Sequence, residues 1–142
     1  MRGQENQQHR RRTWTQRAAF AVLLCASLFY LYGAAVHVAN MVSATGFDWP
    51  SAPRKWQVLD VVYLALDLLV AGGLWRRARA SVVAFFAAAA SQLVLYTAGR
   101  SWVLDVPTEY AVTGEQVGYL DTLVLFHAVT VVLVLWALRG HR

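Results

Sequence analysis

The sequence predicts an all-α protein: an integral-membrane, antiparallel four-helix bundle with both termini on the cytoplasmic side. Three observations carry that expectation. Hydrophobic residues make up 58% of the 142 and charged residues 15%, against roughly 25% charged in an average soluble domain. A soluble chain of this size could not hide so much apolar surface, and the mean hydropathy of +0.40 agrees. The apolar residues fall in four runs, each near the roughly 20 residues that cross a bilayer core as helix. The basic residues cluster in short segments between alternate runs, as membrane topology signals do.

Residues 1–17 are polar and basic and read as a disordered or interfacial cytoplasmic tail, with Trp14 at headgroup level. The first helix, 18–40, is longer than the ~7–15-residue apolar core of a signal peptide, and no soluble domain follows it. It is therefore expected to be retained. Residues 41–57 read as a loop, with Gly46, Pro50 and Pro53 as breakers and Trp49 and Trp56 as interface anchors. The second helix is expected over 58–75. A short turn through Arg76, Arg77 and Arg79 leads to the third, 80–98. A second polar loop over 99–118 precedes the fourth helix, 119–138, and residues 139–142 form a cytoplasmic tail. Residues 18–138 thus form one domain.

Orientation follows from the distribution of Lys and Arg. Ten of the thirteen fall on one side: Arg2, Arg10, Arg11, Arg12, Arg17, Arg76, Arg77, Arg79, Arg139 and Arg142. The two long loops hold only Arg54, Lys55 and Arg100. That side is cytoplasmic by the positive-inside rule, and the expected location is a bacterial-type inner membrane. The same distribution makes anionic headgroups, rather than nucleic acid, the expected partner of the Arg10–Arg12 run.

The stretch LDVVYLALDLLVAGGLWRRAR, residues 59–79, carries the most telling residues. Asp60 and Asp67 lie seven apart on one helix face, with Tyr63 between them. Carboxylates inside a membrane are costly and require a partner or water, so this helix is expected to sit in the bundle core. In the expected topology His37 and Asn40 lie near the outer end of the first helix. Asp67 lies about 10 Å deeper than Asp60, at 1.5 Å per residue. Gln92 and Tyr96 fall in the outer half of the third helix, and His127 about a third of the way down the fourth. All the strongly polar membrane residues thus gather in the outer half. The predicted polar cluster is His37, Asp60, Tyr63, Asp67, Gln92 and His127. Asp60 and Asp121 also suit the first turns of their helices, where the dipole favours a carboxylate. A direct Asp67–His127 bond would satisfy two costly groups, as a structural pair or as a working site for proton relay, quinone contact or ligand recognition.

Other chemistries find little support. His37 and His127 lie at different depths for one haem, and no local ligand spacing marks a zinc or copper site, so no metal is expected. No nucleophile motif or phosphate loop stands out, so the chain is not expected to be an enzyme on its own. The lone Cys25 lies in an apolar run and reads as a core residue. Gly33, Gly72, Gly73 and the alanines from Ala87 offer close helix approach.

The run 66–77, LDLLVAGGLWRR, followed by an alanine-rich helix, resembles the DoxX-like small membrane proteins over about a quarter of the chain. In that resemblance Asp67 takes the acidic position, Gly73 the glycine and Arg77 the cytoplasmic arginine. The first helix departs, with His37 and Asn40 where the family carries an arginine–glycine opening and a Gly-Lys pair. The resemblance implies a membrane-redox or quinone-associated accessory protein, often of unassigned activity; the cofactor stays open, with quinone a candidate and haem not expected. The expected function is a small inner-membrane accessory or interaction protein with an outward-facing polar cluster, partnered by another membrane protein or its own copy. The alternatives are a bundle binding a small sterol- or lipid-like ligand, and a subunit of a larger membrane enzyme.

Overall fold

A computed structural model describes residues 2–46 and 48–139, with side chains from Thr13 onward. Within them the chain is helical: α1 (Arg2–Met41), α2 (Arg54–Gly73), α3 (Arg79–Tyr96), α4 (Arg100–Leu104) and α5 (Gly114–Arg139), with 3₁₀ turns at Trp49–Ser51, Leu74–Arg76 and Thr108–Tyr110. Four helices, α1, α2 with its 3₁₀ turn, α3 and α5, are long and apolar enough to cross a membrane. Helix α1 neighbours α2 and α5, and α3 also neighbours α2 and α5, so the four close into a ring.

The boundaries differ from expectation for local reasons. Helix α1 runs back through residues 2–17, so the backbone there is not the disordered one of the two tails expected, disordered or interfacial. Gln, Glu and Arg are good helix formers, and no proline interrupts them. The side chains of Arg2 and Arg10–Arg12, and all of Arg142, lie outside the described residues. Helix α2 begins at Arg54, directly after Pro53, whose missing N–H is not needed at a helix start. Helix α5 begins at Gly114, five residues early, because Thr113 and Gln116 cap each other. The Thr113 backbone N–H donates to Gln116 Oε1 (2.7 Å), and the Gln116 N–H to Thr113 Oγ1 (3.3 Å).

The turn between α2 and α3 is tight. Arg77 takes a left-handed φ of 58°, and the Ala78 N–H reaches back to the Gly73 carbonyl at 3.0 Å. A Cβ on Gly73 would meet Ser81 Oγ and Ala78 Cβ, so the helices approach there through glycine. A side chain at left-handed φ is strained relative to glycine. Arg77→Gly is therefore expected to raise stability by about 0.5–1 kcal/mol. Thermal unfolding in mild detergent checks this, and a lower melting temperature would contradict it.

The core divides along its length. One end is apolar: Leu23, Val70, Leu74, Phe85, Ala88 and Val134 are fully buried. The other end holds Asp60, Asp67 and His127, all buried. Outward faces are apolar along the middle of the four long helices. Asp67 is 3% exposed, whereas Leu68 and Leu69 beside it are 53% and 51% exposed. Helix α2 is thus not enclosed by its neighbours, as a core helix would be; it turns its acidic face inward and an aliphatic face out.

The predicted second loop is built rather than irregular. Helix α4 docks on the start of α2, where Lys55 Nζ donates to the Trp102 carbonyl (2.5 Å) and to that of Asp105. The Trp56 indole N–H donates to the Val103 carbonyl at 3.1 Å. Arg100 pairs with Asp121, which stands within α5 rather than in its first turn.

Candidate functional site

The site is assembled from one face of each long helix. On α1, Tyr30, Gly33, His37 and Asn40 recur at helical spacing and point one way. On α2, Asp60, Tyr63 and Asp67 do the same. Gly33 lets them meet, because a Cβ there would collide with Asp67 Oδ2.

Asp60 is the hub. Its Oδ1 accepts from His37 Nδ1 at 2.7 Å and from Asn40 Nδ2 at 3.4 Å, and its Oδ2 accepts from the Trp49 indole N–H at 2.9 Å. Since a carboxylate only accepts, the His37 proton on that side sits on Nδ1. The other nitrogen, Nε2, faces Asp67 Oδ2 at 3.7 Å. That is too long for a hydrogen bond, but close enough for charge to be felt. His37 therefore stands between two carboxylates, hydrogen-bonded to one and within electrostatic reach of the other. The Tyr63 ring lies nearly parallel to His37, at 6.1 Å and 16°, and its hydroxyl donates to Ser91 Oγ at 3.0 Å.

Asp67 is less well served. Its Oδ1 is buried and has no hydrogen-bond partner, as is the Tyr30 hydroxyl. The expected Asp67–His127 bond is not what the structure builds. His127 Nδ1 lies 2.7 Å from the Leu123 carbonyl, one turn back on its own helix. A carbonyl only accepts, so the proton sits on Nδ1 and a neutral ring leaves Nε2 as an acceptor. The Tyr30 ring meets His127 edge-on at 6.3 Å.

These groups surround a cavity of about 290 Å³, at the lower end of the range for small-molecule sites. His37, Asp60, Asp67, Gln92 and His127 line it, as do Phe29, Tyr30, Tyr32, Tyr96 and Tyr119. A second chamber of about 420 Å³, which Tyr63 lines, adjoins it beneath α4 and shares His37, Asn40, Asp60, Tyr96, Tyr119 and Leu120. All six predicted cluster residues are thus brought together. Neither chamber is lined by a Lys or Arg. Haem ligation by His37 is disfavoured by its geometry, since Nδ1 is committed to Asp60 and Nε2 faces Asp67.

The sequence reading missed Tyr30, Trp49 and Ser91. The first was recoverable from its spacing to Gly33 and His37. Trp49, expected at the membrane interface, instead donates into the site. Its position depends on how the loop folds, which spacing does not reveal.

The fold and site together describe an all-helical chain with four membrane-length helices around a buried acid–imidazole–acid cluster. No family model, curated protein or solved structure matches it.

Proposed function

We propose that the chain is a multi-pass inner-membrane protein, threaded as an antiparallel bundle with both termini cytoplasmic, that binds a small ligand in its outer half. The aliphatic outer faces support insertion. The arginines at the α2–α3 turn support the orientation, which sets the polar chambers toward the extracytoplasmic side. The observation that carries the binding reading is the pair of orphaned groups in one cavity wall. Asp67 Oδ1 and the Tyr30 hydroxyl are each buried without a partner, a condition that costs about 1–3 kcal/mol per group and that a ligand would relieve. Binding serves an accessory role beside a membrane partner or a second copy of the chain, and needs no catalysis by this chain.

A quinone headgroup, serving a membrane redox partner, is the second reading. The Tyr30 hydroxyl favours it, being a donor suited to a carbonyl. The resemblance to DoxX-like proteins points the same way; of the residues that carry it, Asp67 lines the cavity and Gly73 and Arg77 form the tight turn.

Site-directed labelling tests the reading. In a Cys25→Ser background, Gln92→Cys is expected to react with a membrane-impermeant quaternary-ammonium methanethiosulfonate added outside intact cells. Thr108→Cys, exposed on the second loop and lining neither chamber, should react as a reference, and Ala88→Cys, in the apolar core, should not. Labelling of Gln92→Cys only from the cytoplasmic side, or from neither side, would sink the proposal.

A further inference from the structure

We infer that the cavity takes a small organic cation, a substituted ammonium whose charge meets Asp67 and whose apolar groups meet the surrounding aromatic rings. This rests on the outward-facing binding reading above and names its ligand class. Charge decides first. Two carboxylates line the cavity and no Lys or Arg does, and the Nδ1 donors of its two histidines are already taken by Asp60 and by the Leu123 carbonyl, so an anion would enter against repulsion with no free cationic donor to hold it. The two acids are not equivalent. Asp60 is answered by three donors, from His37, Asn40 and Trp49. Asp67 receives none: Oδ1 is buried without a partner, and Oδ2 only approaches His37. The carboxyl group left without a donor is therefore that of Asp67, at 3% exposure.

The walls decide second. Phe29, Tyr30, Tyr32, Tyr96 and Tyr119 all line this one cavity. Aromatic faces attract a desolvated cation and are the common means of holding quaternary ammonium groups, which donate no hydrogen bond. A carboxylate at the base and rings around it match such a ligand on both counts. A neutral quinone would use the rings and could accept from the Tyr30 hydroxyl, but would leave the Asp67 carboxyl unanswered, the costlier of the two buried groups.

The test uses full-length protein in nanodiscs, in the Cys25→Ser/Gln92→Cys form, with benzyltrimethylammonium as probe. This probe is expected to slow labelling of Gln92→Cys, measured relative to Thr108→Cys. Its neutral carbon isostere, neopentylbenzene, and the neutral quinone duroquinone are expected not to. Asp67→Asn should weaken protection about tenfold or more, and Tyr119→Leu, at an exposed ring on the cavity rim, by a few-fold. Labelling that proceeds unprotected would overturn the cation inference and leave the outward cavity standing. Failure of labelling itself would remove both. Equal protection by neopentylbenzene or duroquinone would likewise overturn it. Should Asp67→Asn fail to fold, Tyr119→Leu carries the test, and unchanged protection there counts against the inference.

Discussion

Replacing Asp60 with alanine is expected to destabilise the protein by about 3–5 kcal/mol, the cost of removing one partner from a buried, hydrogen-bonded charge cluster. Three donors lose their acceptor together: His37 Nδ1 at 2.7 Å, the Trp49 indole at 2.9 Å and Asn40 Nδ2 at 3.4 Å. They come from α1 and from the loop between α1 and α2, so the carboxylate holds the loop on the helices as well as the helices on each other. Asp60→Asn should cost less. Its amide oxygen still accepts from one neighbour, but its NH₂ then faces a donor. Trp49→Phe removes one bond of the three and should cost about 1–3 kcal/mol. Detergent-solubilised unfolding, followed by loss of the monodisperse species on heating, ranks the three. An Asp60→Ala protein as stable as the parent would mean that the cluster holds nothing together.

The four long helices were legible because composition and run length suffice to find them. The polar cluster was legible because Asp60, Tyr63 and Asp67 share one helix face whatever the neighbours do. Which histidine approaches Asp67 was not. His37 and His127 both suit a carboxylate, and the choice depends on the rotation and spacing of α1 and α5 about their axes. Gly33 settles it by letting α1 come within contact of Asp67, while His127 turns to its own Leu123 carbonyl. A backbone carbonyl is present in every sequence, so residue patterns carry no sign that a histidine will use it.

The elements missed were those whose order comes from tertiary contact. Helix α4 spans Arg100–Leu104, too short to be stable by its own propensity. It forms because Lys55 and Trp56 bind its carbonyls, and because Val103 is buried beneath it. The polar loop expected there is instead a roof over the second chamber, tied down again where the Tyr110 hydroxyl donates to Ser51 Oγ at 3.0 Å. Residues 2–17 show the opposite error. Their polarity suggested a disordered or interfacial tail, yet helix propensity continued from the apolar run governs the backbone.

A double-mutant cycle between Gly33 and Asp67 gives the second large effect. Gly33→Ala is expected to cost about 1–3 kcal/mol, the range for overpacking a well-filled contact, because its Cβ would occupy the place of Asp67 Oδ2. The carboxylate can yield only by turning further into the cavity, away from His37, or by forcing α1 and α2 apart. Either movement disturbs the cluster, and Gly33→Leu, a larger side chain meeting the same carboxylate, is expected to cost more than Gly33→Ala. Asp67→Ala removes the obstructing oxygen along with the buried carboxyl that lacks a donor. In that background Gly33→Ala should cost almost nothing, so the two substitutions are coupled by most of the single-mutant loss. A glycine needed only for helix flexibility would give the same cost in both backgrounds. The cycle therefore separates a site that requires close approach of α1 to Asp67 from a helix that merely tolerates glycine, and additive costs would show that the approach is incidental.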